Sequence, residues 1–371
     1  MASKLKELPS ILVRNYLAGV ATFVRSKPAI GKTMTSEVFV EQMQKRIPNF
    51  QRWLYYAPTM SPMDVQASAP NFETHLLEFF NNAALPNAYT DPDAVGIIVF
   101  DELPNADPAT VKLLQKYVRG EDMSGVLRKP AGVIVLALGN RIEDKSGVQQ
   151  QGRAFLSSFE QLEAYTDATD NMEFAMKHSW HPFVQTFFKD NPHLIDNYDE
   201  VFLTSADARA KAQSNGGQHD QQSEEGKLGI WANMRSWERI SRKEYVADQL
   251  KSPVTLQEAV GNLGAGVGAA YEAHKKILNK LASFDEVMTN PDKVAIPNGM
   301  DEKYALCMVV ALRCQEDQLP QVHQFGQRMP LELQAALLRN MAARKNFNLA
   351  AGPAYAKWIS DPQLTSLLNG R

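Results

Sequence analysis

The sequence predicts an α/β fold built on a parallel sheet, because three apolar runs are typical of strands covered on both faces. These runs are Ala21–Val24, Ile97–Phe100 and Val133–Asn140. Strands buried on both faces are near-continuous apolar runs, whereas half-exposed strands alternate. Segments with helical spacing at residues 36–45 and 108–117 lie between them. Strands that alternate with helices in this way indicate a parallel sheet with helices on both faces.

Other elements follow in chain order. Apolar positions at helical spacing in residues 1–20 predict an amphipathic helix before the first strand. The aromatic segment Trp53–Pro58 predicts a second strand. Ser61 is a candidate N-cap for a helix that has Pro62 at its first position. From there to Pro92 the chain is rich in proline and asparagine, which predicts surface loops.

Length and composition indicate a globular chain of about two domains. The 371 residues are 44% hydrophobic and 22% charged, with a net charge of −3, so no general attraction to nucleic acid or anionic lipid is expected. Cys307 and Cys314 are the two cysteines and are expected to lie in the core. There is no signal-peptide-like apolar segment and no run near the roughly 18 apolar residues of a membrane span. The expected location is cytoplasmic.

The stretch Ala21–Thr33 reads as a buried strand that runs into a phosphate-binding loop and then a helix. Phosphate-binding loops have the pattern Gly, any four residues, then Gly-Lys-Ser or Gly-Lys-Thr. Gly31, Lys32 and Thr33 match the last three positions of this pattern. In that pattern the lysine reaches phosphate oxygens and the hydroxyl reaches Mg²⁺. Ser26 stands where the first glycine belongs, so a chance Gly-Lys-Thr at a helix start stays open.

Polar side chains end two further strands. Asp101 and Glu102 follow Ile97–Phe100, and Asn140 ends the strand that begins at Val133. Since ligands bind at the carboxyl ends of parallel strands, we expect Asp101 to position Mg²⁺ and Glu102 to act as general base toward a water. Asn140 is expected to hold that water. The carboxylates are also compatible with a helix N-cap and first turn, and Asn140 with a turn.

Taken together, these segments resemble the AAA+ ATPases, and most closely the MoxR-like branch carried by bacteriophages and bacteria. Residues 26–33, 100–106 and 138–144 are similar to its Walker A, Walker B and sensor 1 elements. Residues 60–65 and 181–187 also resemble segments of that branch, in the same order. The resemblance implies an αβα P-loop domain, a helical lid, ATP with Mg²⁺, and a ring of identical subunits, usually six. It also implies remodelling of a protein partner, often one with a von Willebrand factor A domain.

Site residues carry over from this resemblance position by position. The resemblance implies that Lys32 and Thr33 bind phosphate and Mg²⁺, and that Asp101 also helps to bind Mg²⁺. It implies that Arg235 is sensor 2. An arginine suits that role because its fork matches phosphate oxygens. A surface arginine in a basic segment is the alternative. The implied phosphate loop consists of Ser26, Pro28, Ala29, Ile30, Gly31, Lys32 and Thr33.

One departure from the family bears on turnover. Relatives place an arginine finger just before a phenylalanine, and here the residue before Phe159 is Ser158. Such a finger is worth several orders of magnitude in phosphoryl transfer. Arg153 or Arg141 are the candidates to replace it. A slow or non-hydrolysing nucleotide-dependent scaffold is therefore the first alternative to an ATPase, and a ring that acts on DNA is the second, disfavoured by the acidic net charge.

The predicted domain organisation has four parts. An AAA+ nucleotide-binding αβα domain spans residues 1–203, and a polar, glycine-rich linker spans residues 204–227. A helical lid follows over residues 228–284, and a helical C-terminal extension over residues 285–371. The extension is compatible with a partner-docking or ring-stabilising role, and equally with an enlarged lid.

Overall fold

The computed structural model divides the chain into two compact units, Met1–Thr166 and Asp167–Arg371. Residues 204–227, predicted as a linker, lie outside the residues that it describes. The described residues are 2–81, 85–141, 144, 152–203, 229–342, 344, 347–351 and 353–368.

The first unit contains a six-stranded parallel sheet in the order β1-β8-β2-β7-β6-β3 and a separate two-stranded sheet. The predicted parallel α/β fold is therefore confirmed. In chain order the strands are β1 (Ala2–Lys4), β2 (Thr22–Ser26), β3 (Gln51–Tyr56), β4 (Gln66–Asn71), β5 (Leu76–Asn81), β6 (Gly96–Asp101), β7 (Val133–Asn140) and β8 (Glu160–Tyr165).

Helices cover both faces of this sheet. Along β6, Ile97 and Val99 pack in the core that contains α1 and α2, whereas Ile98 and Phe100 pack in the core that contains α4. Successive side chains of a strand point to opposite faces, so a strand between two helical layers must be apolar throughout. The helices of this unit are α1 (Leu8–Ala18), α2 (Lys32–Gln44), α3 (Pro62–Val65), α4 (Pro108–Val118) and α5 (Arg153–Leu156).

The region predicted as loops before Pro92 contains an antiparallel hairpin instead. Strands β4 and β5 pair from Gln66 with Asn81 to Asn71 with Leu76. The prediction was wrong because Pro70 within a run argues against a strand, yet it is tolerated in a two-stranded ribbon with open edges. Large apolar side chains are exposed here: Phe72 is 82% exposed and Leu76 65%.

Among its described residues, the second unit contains helices joined by turns and loops, and no strand. One core cluster lies between Ala175 and Tyr271, and another between Phe284 and Leu364. Cys307 and Cys314 are buried and free in the latter, as predicted. None of the helices the structure describes is long and apolar enough to cross a bilayer. The α-helices are Ala168–Lys177, Pro182–Asp190, Met234–Leu250, Leu256–Leu263, Ala265–Leu278, Phe284–Thr289, Met300–Arg313, Leu319–Gly326, Leu331–Ala342, Pro353–Ile359 and Pro362–Leu368.

Candidate phosphate-binding site

Three adjacent strands bring the predicted site residues to one edge of the sheet. Strand β7 lies between β2 and β6, and the register pairs Ser26 of β2 with Asn140 of β7. Asp101 ends β6 at the same edge. Because the strands are parallel, their carboxyl ends meet where ligands bind in open α/β sheets.

The loop between β2 and α2 turns without strain at Ser26. That residue ends an extended strand, and the left-handed backbone positions are instead Ala29, with φ of 62°, and Gly31, with φ of 97°. Glycine adopts such a conformation without steric cost, whereas alanine adopts it at a cost of about 1 kcal/mol. The serine at the first-glycine position is therefore compatible with this loop. Ile30 is buried in the core and anchors the turn.

Lys32 begins α2 and folds back over the loop. Its Nζ donates to Ser26 Oγ at 2.8 Å, to the Lys27 carbonyl at 3.0 Å and to Asn140 Oδ1 at 2.9 Å. A longer contact of 3.4 Å reaches the Ser26 carbonyl. The side chain thus joins the loop to the end of β7, which sequence reasoning could not foresee.

The charges around Lys32 are mostly negative. Burial lowers the pKa of Lys32 to about 8, and this effect is opposed by Asp101, Asp144 and Glu102, while Arg141 adds to it. A buried ammonium loses hydration, which favours its neutral form, whereas nearby carboxylates favour the charged form. An anionic ligand at this loop would favour the charged form further.

The Thr33 hydroxyl donates to Asp101 Oδ2 at 2.8 Å, and the other oxygen of Asp101 accepts from the Glu102 amide at 3.0 Å. A hydroxyl and a carboxylate in contact form the kind of oxygen donor set that Mg²⁺ prefers. The contact between Thr33 and Asp101 therefore fits the predicted magnesium site, in which these two residues would hold the ion.

Glu102 has a strained backbone and an oriented carboxylate. Its φ is 52°, a left-handed conformation that costs a non-glycine residue of order 1–3 kcal/mol. Glu102 Oε2 accepts hydrogen bonds from the Tyr56 hydroxyl at 3.1 Å and from Asn105 Nδ2 at 3.2 Å. The hydrogen bond to Glu102 raises the pKa of Tyr56. Both donors bond the same oxygen, Oε2, which fixes the orientation of the carboxylate.

Sequence reasoning missed Tyr56 and Asn105. Tyr56 ends β3 beside Asp101 in the register of β6. Because neighbouring parallel strands end at one edge, a polar side chain near the end of the predicted strand Trp53–Pro58, such as that of Tyr56, was an available signal. Asn105 lies three residues after Glu102 in a short 3₁₀ turn, and no periodicity in the sequence marks it.

The three arginines near the expected finger position differ in their contacts. Arg141 pairs with the buried Asp144 at 2.8 Å. Arg153 is the first residue of α5, and its side chain is exposed. Arg119 was not predicted, and it donates to Ser158 Oγ at 2.8 Å and to the Ala154 carbonyl at 2.9 Å.

Arg235 lies in the second unit, as the second residue of the helix Met234–Leu250. Its side chain is exposed, whereas the following Ser236 and Trp237 are buried. A role of Arg235 toward phosphate stays a prediction.

Gly139 allows the turn after Glu102 to pack on β7, so Gly139→Ala is expected to disturb the site. An added Cβ would lie 2.5 Å from Pro104 Cγ, in a rigid ring. Overpacking of this kind costs about 1–3 kcal/mol. We expect a lower midpoint in thermal unfolding. Because the turn carries Glu102, we also expect the rate of ATP hydrolysis to fall by up to about 100-fold.

Gly261→Ala is the matched control, since a Cβ there meets open space within a helix. It should leave the melting midpoint unchanged or slightly higher. An unaltered midpoint in Gly139→Ala would show that the turn can move away from β7 at no cost.

No family model matches this chain, and no curated protein matches it either. Solved structures do resemble it. A candidate ATPase from Cytophaga hutchinsonii is 16% identical with a TM-score of 0.34, over 48% of this chain and 52% of that one. The Thermotoga maritima RuvB Holliday junction branch migration motor is 12% identical with a TM-score of 0.32, over 78% and 75%. Aeropyrum pernix ORC2, in complexes with ADPNP and ADP, is 11% identical with a TM-score of 0.37, over 77% and 72%.

The chain thus spans about half the length of the Cytophaga protein. At identities of 11–16% and TM-scores below 0.5, these likenesses carry no argument about function. The fold is established by the sheet itself, with six parallel strands, helices on both faces and a loop from β2 into α2 at the carboxyl edge. The first unit is therefore a three-layer αβα domain, with a parallel sheet between two layers of helices.

Proposed function

We propose that this protein is a MoxR-like AAA+ ATPase, which binds ATP with Mg²⁺ in a ring assembly, by expectation a hexamer. Hydrolysis would remodel or regulate a protein partner, and a partner with a von Willebrand factor A domain fits the family resemblance. The observation that carries the proposal is the convergence of Lys32, Thr33, Asp101, Glu102 and Asn140 at the ends of β2, β6 and β7.

Each of these residues has a chemical task in phosphoryl transfer. Lys32 and the start of α2 present positive charge to phosphate oxygens, because helix N-termini carry unpaired amides. Bound Mg²⁺ would neutralise charge on the phosphates, held by Thr33 and Asp101. Glu102 would take the proton of the attacking water, and the amide of Asn140 would orient that water.

A protein partner is supported by the exposed apolar side chains of the hairpin formed by β4 and β5. Phe72, Leu76, Leu77, Phe79 and Phe80 are each between 42% and 82% exposed. Exposed apolar residues that cluster on one element are typical of protein interaction sites.

A slow nucleotide-dependent scaffold is the second candidate function. It is favoured by Ser158, which occupies the expected finger position and accepts a hydrogen bond from Arg119. Arg141 is likewise held, by Asp144. Without an arginine delivered to a neighbouring subunit, turnover would be lower by several orders of magnitude.

The test is the rate of ATP hydrolysis per chain over a wide range of protein concentrations, at saturating ATP and Mg²⁺. We expect this rate to rise with concentration, because the neighbouring subunit completes each site. We expect Arg153→Ala to lower the plateau by about 10³-fold or more, since Arg153 is exposed at the start of α5.

Arg119→Ala is the matched control, because it removes an arginine that is already bonded to Ser158 and to the Ala154 carbonyl. It should lower the plateau much less. Negligible hydrolysis at every concentration, with ATP bound, would favour the scaffold. A rate independent of concentration, despite hydrolysis, would argue against sites shared between subunits.

A further inference from the structure

The Ser26 side chain makes a contact that glycine at this position could not make. Ser26 is fully buried, and its hydroxyl donates to the Lys27 carbonyl at 2.8 Å. Because the hydroxyl proton is used in that hydrogen bond, the Ser26 oxygen can only accept from Lys32 Nζ, which lies 2.8 Å away. The backbone at Ser26 is ordinary extended strand, so neither strain nor a turn dictates the residue type.

The ammonium of Lys32 is saturated by the protein. It carries three protons, and three acceptors lie within 3.0 Å, namely Ser26 Oγ, the Lys27 carbonyl and Asn140 Oδ1. Lys32 as a whole residue is also only 9% exposed, which leaves little room for water around it. A phosphate that binds Lys32 must therefore displace at least one of these acceptors.

We propose that Ser26 is a positioning residue, whose hydroxyl holds Lys32 within the nucleotide-free loop and so weakens the binding of ligands that carry phosphate. The inference rests on the proposed function, since it concerns the same site. Without the hydroxyl, the ammonium keeps two acceptors within 3.0 Å, and its third proton has only the longer contact of 3.4 Å to the Ser26 carbonyl. That proton can then bond a phosphate oxygen at the cost of this weak contact alone.

The test compares Ser26→Ala and Ser26→Gly with the natural protein, by calorimetric titration with ADP, ATP and adenosine. Both variants should bind ADP and ATP about tenfold more tightly, which corresponds to about 1.4 kcal/mol. Adenosine lacks phosphate, so its affinity should not change. In steady-state hydrolysis, KM for ATP should fall in both variants.

Two further variants keep the test interpretable. Ser26→Thr retains a hydroxyl and should keep the natural affinity for ADP, provided that thermal unfolding shows a folded protein. Ser10→Ala removes an exposed serine hydroxyl from α1 and should change neither affinity nor melting midpoint.

The outcomes separate this inference from the proposed function. Tighter ADP and ATP binding in both variants, with adenosine unchanged, supports the role of Ser26. Unchanged or weaker binding in a folded Ser26→Ala overturns it, as does a gain confined to Ser26→Gly, which would implicate backbone freedom instead. A gain shared by adenosine also overturns it. If neither the natural protein nor any variant binds nucleotide, the proposed function fails together with the inference.

Discussion

Replacing Glu102 by glutamine is expected to lower kcat for ATP hydrolysis by about 10²–10⁴-fold, the usual contribution of a general base. Glutamine has the same shape, and its carbonyl oxygen can still accept hydrogen bonds from Tyr56 and Asn105. It cannot take a proton from water. The affinity for ATP should therefore persist, since Lys32 and Thr33 are untouched. Single-turnover hydrolysis and calorimetric titration of the same preparation measure the two quantities.

The control for this substitution is Glu41→Gln, which removes an exposed carboxylate on α2 away from the strand ends. It should leave kcat unchanged. Full hydrolysis in Glu102→Gln would exclude Glu102 as the base. Loss of ATP binding along with hydrolysis would instead indicate that Glu102 supports the fold of the site. Such a role is compatible with its φ of 52° and with the hydrogen bonds that its carboxylate accepts from Tyr56 and Asn105.

Continuous apolar runs made the central strands predictable. Four consecutive large apolar residues in β6 have to be covered on both faces, and each face has its own core. The edge strand β1 and its neighbour β8 lack this signal. β8 reads Glu-Gln-Leu-Glu-Ala-Tyr and β1 spans three residues, so neither could be distinguished from loop by apolar content. β1 pairs with β8 through residues about 160 positions apart, such as Ala2 and Glu163, and β8 pairs with β2 through residues about 140 positions apart, such as Thr22 and Glu160.

The site was predictable to the extent that it follows from where strands end. Asp101, Asn140 and Ser26 each end a parallel strand, and the order of the strands brings them together. The hydrogen bonds were not predictable, because they depend on side-chain conformations. Two examples are the hydrogen bond from Lys32 to Asn140 and the one from Tyr56 to Glu102.

Lys32→Ala is expected to weaken ATP binding by at least about 100-fold. A hydrogen bond that involves a charged group is worth about 1.5–3 kcal/mol, and the lysine of such a loop is positioned to make more than one with phosphate oxygens. Three protein acceptors, Ser26 Oγ, the Lys27 carbonyl and Asn140 Oδ1, also lose their donor. Calorimetric titration with ATP, and thermal unfolding with and without ATP, measure the effect.

Lys27→Ala provides the control, because it removes one positive charge from the same loop and leaves the backbone carbonyl that accepts from Lys32. If general attraction between positive charge and phosphate dominated, both variants would lose affinity to a similar extent. If geometry dominates, Lys32→Arg should also bind ATP weakly, since a planar guanidinium cannot replace an ammonium among three converging acceptors. Natural ATP affinity in Lys32→Ala would place the nucleotide elsewhere on the molecule, and the convergence of the strand ends would then need another ligand.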